Sequence, residues 1–219
     1  MDEKALKYYS AREERANTIS HALGIVFVLV SSVVLIRKAM LTADVWAVVS
    51  YVIMALGILS SYVSSTVYHA LPHSPQKFYW RRADHATIYL NIAGSYTPFT
   101  LFLLHDKGAW GWTLFGVVWV SAFLGVGLNF LKMKRANHIK TLSYLAMGWV
   151  IVIAAKPLIE VLGAQGKIEA LYWLVAEGVF FTVGALIYMF AKREFMHSVW
   201  HLFVLMGTIC HTVSAYKIL

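Results

Sequence analysis

The sequence predicts an all-α protein: one seven-transmembrane helix bundle over residues 1–219, with its N-terminus in the cytoplasm and its C-terminus outside. Three observations predict it. The chain is 59% hydrophobic and only 14% charged, with a mean hydropathy of +0.64, far from the balance of a soluble domain. Seven apolar stretches each come close to the ~20 residues that cross a ~30 Å hydrocarbon layer. Lys and Arg are divided unequally between alternate connections, the asymmetry that sets orientation in a membrane.

The stretches lie near 18–36, 46–69, 84–104, 110–131, 141–162, 169–190 and 197–216. Backbone in lipid must satisfy its own hydrogen bonds, so runs of this length read as helices. Before the first, Asp2, Glu3, Lys4, Lys7, Arg12, Glu13, Glu14 and Arg15 form a mixed-charge amphipathic stretch rather than the basic start of a cleaved signal peptide. Pro72 and Pro75 close the second span and shape the loop behind it, while Pro98 is expected to kink the third. Gly125 and Gly127 in the fourth span, and Gly178 and Gly184 in the sixth, are small enough to let helices approach closely. Connections are short, which leaves no room for a separate soluble domain.

Counting alternate sides fixes the orientation. The N-terminus (Lys4, Lys7, Arg12, Arg15), second loop (Lys77, Arg81, Arg82), fourth loop (Lys132, Lys134, Arg135, Lys140) and sixth loop (Lys192, Arg193) hold 13 Lys and Arg. Arg37, Lys38, Lys107, Lys156, Lys167 and Lys217 make 6 on the other side. The excess belongs in the cytoplasm. The net charge of +8 then reflects basic loops facing anionic headgroups, not a nucleic-acid partner. Cys210 is the only cysteine and lies in the last span, which excludes an intrachain disulfide and a Cys-based zinc site.

This topology assigns each polar residue a depth. His197 and His201 stand four apart at the start of the last helix, on one face and ~6 Å apart along the axis. Alone, such a pair can arise by chance among nine histidines. His69, at the end of the second span, and Asp84, at the start of the third, come to the same layer near the cytoplasmic face. Each could instead snorkel to headgroups, and Asp84 could pair with Arg81 or Arg82, but that account fits one residue better than four. Polar stripes converge on the layer: Ser61, Ser65 and His69; Asp84, Thr87, Asn91 and Ser95; His197, His201, Thr208 and Thr212. These faces should point into the bundle, with Ser61, Thr87 and Thr212 read as interhelical glue.

Three neutral imidazoles around a divalent ion leave a fourth position open, the pattern of catalytic zinc sites. A water there would have its pKa lowered towards ~7. Asp84 is the natural acceptor for its proton, and Ser65, one turn before His69, is placed to hydrogen-bond the water or a developing oxyanion. The last-helix motif lacks the Glu of His-Glu-x-x-His, and neither a Gly-x-Ser-x-Gly elbow nor a phosphate-cradling Gly-rich loop with Lys is present.

Taken together these residues resemble the hemolysin III family, the bacterial branch of the progestin and adiponectin receptor superfamily. The resemblance spans nearly the whole chain: Glu14, Asn17 and His21; Ser65-x-x-x-His69; Asp84 followed by Ala93-Gly94-Ser95-Tyr96-Thr97-Pro98-Phe99; and His197-Ser198-Val199-Trp200-His201-Leu202-Phe203. It implies a seven-helix bundle with a cytoplasmic N-terminus, Zn2+ held by His69, His197 and His201, and Asp84 and Ser65 at or beside the zinc-bound water. Receptor relatives and alkaline ceramidases are associated with hydrolysis of lipid amides such as ceramide, and the bacterial branch with haemolysis and membrane homeostasis. The expected activity is therefore zinc-dependent hydrolysis of an acyl-chain membrane lipid at the inner membrane. The alternative is a non-enzymatic lytic or sensor protein with structural zinc. Glu177-Gly178 departs from the Gly-Gly pair the resemblance leads one to expect; its carboxylate is either functional, or neutral, or paired with Lys156. His21 and His211 also fit the pattern, but His211 lies ten residues beyond His201, roughly 15 Å along the helix, too far to share the ion.

Overall fold

The computed structural model describes residues 9–130 and 136–219, and of residues 136–138 the backbone alone. Asp2 and Glu3 of the mixed-charge stretch, and Lys4, Lys7, Lys132, Lys134 and Arg135, which entered the charge comparison, lie outside the described residues. The described chain is helical throughout: α1 (Ala11–Leu41), α2 (Val45–Ala70), α3 (Pro75–Thr97), α4 (Trp110–Phe130), α5 (Ala136–Gly148), α6 (Ala155–Ala164), α7 (Glu169–Phe190) and α8 (Met196–Ile218). A π-helical stretch, Pro98–Leu103, prolongs α3, and a 3-10 stretch, Trp149–Ala154, joins α5 to α6. The result is seven rods.

Six of the described rods are long and apolar enough to cross a membrane, α5 and α6 counting as one from Ile139 to Ala164. The exception is α3, whose first turns carry Lys77, Arg81, Arg82 and Asp84. It starts nine residues before the expected third span because Ser74 caps it, accepting from the Lys77 amide, with Pro75 in its first turn where no amide donor is needed. Similarly, α1 begins ahead of its apolar run at a capping box in which Ser10 and Glu13 satisfy each other's backbone amides.

Pro98 does not simply kink its rod. It cannot donate to a carbonyl one turn back, and the helix widens to a π-helical stretch from that residue onward. The Thr97 hydroxyl donates to the Ala93 carbonyl at 2.9 Å, and the Thr100 hydroxyl to the carbonyls of Tyr96 and Thr97 at 3.0 and 3.1 Å. Pro157, early in α6, does the same for the fifth rod: it cannot donate to the turn ahead of it, which is the 3-10 stretch.

α2 packs between α1 and α3, α3 continues to α4, and α7 pairs with α8, which returns to α1. The approach of α2 to α3 is set by Gly57 and Gly94, since a Cβ added at Gly57 would stand 2.6 Å from the Leu90 carbonyl oxygen. Of the glycines singled out in the sequence, Gly125 and Gly184 do permit contact, against Tyr89 and Phe203, and Gly178 sits against Trp149. Gly127 does not: nothing lies within 4 Å of its would-be Cβ.

The bundle is apolar outside, and its apolar core carries buried polar residues. Val30, Phe123, Leu124 and Ile153 are each more than 60% exposed, whereas Asn17, Ser50, Thr97, His201 and Ser214 are fully buried. Water would not tolerate that surface over such an area, and the chain is a multi-pass membrane protein.

Candidate metal centre

α8 begins where Phe195 adopts a left-handed backbone, φ 62°. Its amide donates to Glu13 Oε1 at 3.1 Å, so the residue that caps α1 also fixes where α8 starts. From that start His197 and His201 project one turn apart towards His69 at the end of α2. Their ligand-type nitrogens all lie within 4.8 Å of one another, and His69 Nε2 is 3.2 Å from His197 Nε2. A tetrahedral ion with bonds of ~2.0–2.1 Å holds its nitrogens roughly 3.3 Å apart, so the spacing suits a small divalent metal.

The surrounding hydrogen bonds orient the rings for that task. His69 Nδ1 is 2.6 Å from Glu14 Oε2, which makes Nδ1 the protonated nitrogen and turns Nε2 inward as a lone pair. His201 Nδ1 is 2.9 Å from Ser20 Oγ, whose hydroxyl donates to the Asn17 carbonyl, also at 2.9 Å; Nδ1 therefore donates here too. His201 Nε2 is buried with no hydrogen-bond partner among the described residues. A bare imidazole lone pair in a buried site is costly unless something accepts it, and a metal ion does so.

Glu14 is held in turn by Lys77, whose Nζ lies 3.0 Å from its Oε1 and donates to the Tyr68 and Leu71 carbonyls at 2.9 and 2.8 Å. Lys77 thus closes the C-terminal end of α2 while anchoring the carboxylate behind His69. Ser198 donates to Asn17 Oδ1 at 2.6 Å and ties α8 to α1 beside the site. The Tyr9 ring lies 4.8 Å from that of His197 and 5.8 Å from that of His69, covering the site ahead of α1. Burial, with Tyr188 and Tyr68 adding to it, raises the Tyr9 phenol above its ordinary pKa, so it stays neutral.

Asp84 is buried, and the Ser65 hydroxyl is buried with no hydrogen-bond partner among the described residues. The structure brings His69, His197 and His201 together, Asp84 shares a cavity wall with His197, and Ser65 is buried one turn before His69. The stripes behave less uniformly. Thr87 meets Ser64 across α2 and α3 at 2.7 Å, a true interhelical bond, whereas Thr212 donates to its own helix at the Thr208 carbonyl. Ser61, Asn91 and Ser95 line a cavity.

That cavity, about 180 Å³, runs from Asp84 and His197 to Glu177 and His211, between apolar walls that include Ile88, Phe99, Phe181 and Val204. Trp149 stands at the seam of the 3-10 stretch and α7, donating to Thr182 at 3.1 Å with 43% of its surface exposed. Of the alternatives left open for Glu177, the structure gives it a partner other than Lys156: its Oε2 is 2.9 Å from His211 Nδ1, across α7 and α8. His211 stays clear of the metal ligands, as its position predicted. The roles of Ser20, Lys77 and Tyr9 were not found in the sequence, and Glu14 and Asn17 appeared only through the resemblance. The Ser10-x-x-Glu13 spacing was the one signal that could have placed the start of α1.

The family model described as haemolysin-III related matches residues 9–212. The chain is 36% identical over 197 residues to Hemolysin-3 of Bacillus cereus, covering 90% of this chain and 87% of that one. It is 37% identical over 200 residues to the Hemolysin-3 homolog of Bacillus subtilis (strain 168), covering 91% of each. The Homo sapiens Monocyte to macrophage differentiation factor is 28% identical over 218 residues, covering 94% of this chain and 84% of that one.

Proposed function

The chain belongs to the haemolysin-III family, and on that premise we propose that it is a zinc-dependent hydrolase of an acyl-chain membrane lipid, a ceramide-like or other amide. It crosses the inner membrane seven times with its N-terminus in the cytoplasm, works with its metal site near the cytoplasmic face and serves membrane homeostasis. The observation that carries this reading is a cavity that opens at the histidine cluster. His197 of that cluster and the buried Asp84 line one end of it, and an apolar-walled space leads away from them. A closed structural site would need a fourth protein ligand, and no such ligand joins the cluster among the described residues.

Zinc, when bound by His69, His197 and His201, supplies a Lewis acid that polarises a carbonyl and lowers the pKa of water towards ~7. The chain's own residues do the rest. Asp84 takes a proton from the attacking water and returns it to the amine as the amide C–N bond breaks. Ser65 donates to the oxygen that gains charge. Glu14 and Ser20 keep the imidazoles in the required tautomer. The apolar walls exclude bulk water and hold the acyl chain, which enters from the bilayer past Trp149.

Zinc-replete purified protein should carry about one zinc per chain and turn over a short-chain ceramide probe. His201→Ala should lose the metal, and Asp84→Ala should keep it while lowering turnover by roughly 10²–10⁴-fold. A folded wild type that holds no zinc, or an Asp84→Ala variant with unchanged turnover and lipid profile, rejects the reading. The name Hemolysin-3 carried by the Bacillus cereus relative favours a second one, a lytic protein with structural metal. Liposome leakage that survives zinc removal would select it.

A further inference from the structure

The end of the cavity away from the metal ligands is not apolar. Glu177 on α7 and His211 on α8 both line it, joined by the 2.9 Å contact between Oε2 and Nδ1. Neither residue touches the histidine cluster. With Nδ1–H donated to the carboxylate, His211 Nε2 is left as an acceptor. That atom is buried, with His211 only 2% exposed, and finds no hydrogen-bond partner among the described residues. The Tyr96 hydroxyl, which also lines the cavity, is occupied elsewhere, donating to the Gly148 carbonyl at 2.7 Å. An orphaned acceptor on a residue that lines this channel is costly unless the occupant supplies a donor.

We infer that the Glu177–His211 pair is a second subsite in the cavity that takes a hydroxyl group carried part-way along the hydrophobic chain of the bound lipid. The inference rests on the reading that an acyl chain fills the cavity, and goes beyond it by naming which chains fit. The hydroxyl donates to His211 Nε2, and Glu177 fixes the imidazole tautomer that makes this possible. Position along the chain follows from the helix. His201 and His211 are ten residues apart, and side chains on one helix lean the same way, so their rings are offset by roughly 15 Å along the axis. An extended hydrocarbon covers that distance in roughly twelve carbon–carbon bonds, a mid-chain and not a terminal position.

The test compares octadecanoic, 3-hydroxyoctadecanoic and 12-hydroxyoctadecanoic acids as ligands of the zinc-loaded, full-length protein in nanodiscs. The 12-hydroxy acid should bind about tenfold or more tightly than octadecanoic acid, and the 3-hydroxy isomer should gain nothing comparable. In a Glu177→Gln/His211→Leu variant the preference should vanish while octadecanoic acid still binds. Equal affinity of wild type for the three acids overturns the subsite and leaves the lipid cavity standing. Failure of all three to bind overturns both. A preference that survives in the double variant overturns the assignment to this pair, and the comparison among isomers on wild type decides the matter should that variant not fold.

Discussion

Glu14 joins three helices with one carboxylate: it sits on α1, meets His69 of α2 through Oε2 and Lys77 of α3 through Oε1. Its consequence for the metal is electronic as well as positional, because an acceptor on Nδ1 raises the basicity of Nε2. Glu14→Ala should therefore weaken zinc binding by roughly 10–100-fold without removing a ligand, measured by competition with a chelator. The same substitution leaves Lys77 buried with only the carbonyls of Tyr68 and Leu71, so a fall in thermal stability should accompany it. Ser20→Ala removes a neutral partner from His201 and should cost less. At this scale the sequence exposed the candidate site residues but not their supports. His69, Asp84, His197 and His201 announce themselves because an ionisable group in an apolar run is conspicuous and its depth can be counted. Glu14 and Ser20 lie on α1, and no spacing within α1 states how it is rotated and shifted against α2 and α8. The alternatives for Glu177 stayed open for the same reason, its partner lying across a helix interface and not near it in sequence.

Helix packing decides whether those residues meet. α2 carries Ser65 and His69, α3 carries Asp84, and the two touch backbone to backbone at Gly57 and Gly94, with Gly94 Cα 3.2 Å from the site of a Gly57 Cβ. Gly57→Ala must push a carbonyl oxygen aside, which a rigid helix does not permit without separating the pair. A loss of about 1–3 kcal/mol is expected, read as earlier thermal unfolding in detergent, with weaker zinc retention because His69 moves with α2. Gly127→Ala is the contrast: its Cβ meets nothing within 4 Å, and helix propensity alone should leave stability unchanged or raise it by up to ~1 kcal/mol. Both glycines lie in apolar spans and look alike in sequence, so only the packing separates them. Boundaries divide similarly. The span expected at 169–190 matches α7 (Glu169–Phe190), and 46–69 lies one residue inside each end of α2 (Val45–Ala70), because apolarity and helix coincide there. They part at α1 and α3, whose first turns are polar and are begun by caps that an apolar stretch does not register.

The orientation of the whole bundle rests on charge, and α3 is its most polar crossing, since it alone among the seven described rods falls short of the apolarity of a span. Its polarity has a structural outlet. Lys77 is buried against α2, Asp84 is buried at the cavity, and the outward stretches of the neighbouring rods meet the lipid instead. A rod with that inner face can cross while exposing little of its charge, and the π-helical stretch Pro98–Leu103 extends it to the far side with buried Phe99, Leu101 and Leu103. Two cysteines placed at its ends test both the crossing and its direction. In a Cys210→Ser background, Lys107→Cys should react with a membrane-impermeant maleimide on intact cells, and His73→Cys only after permeabilisation. Labelling of both on intact cells would mean that α3 does not cross. Reversal of the pattern would put the loop beside His69, and with it the metal centre, on the outer face. The 13-to-6 division of Lys and Arg would then have failed as a guide to this bundle.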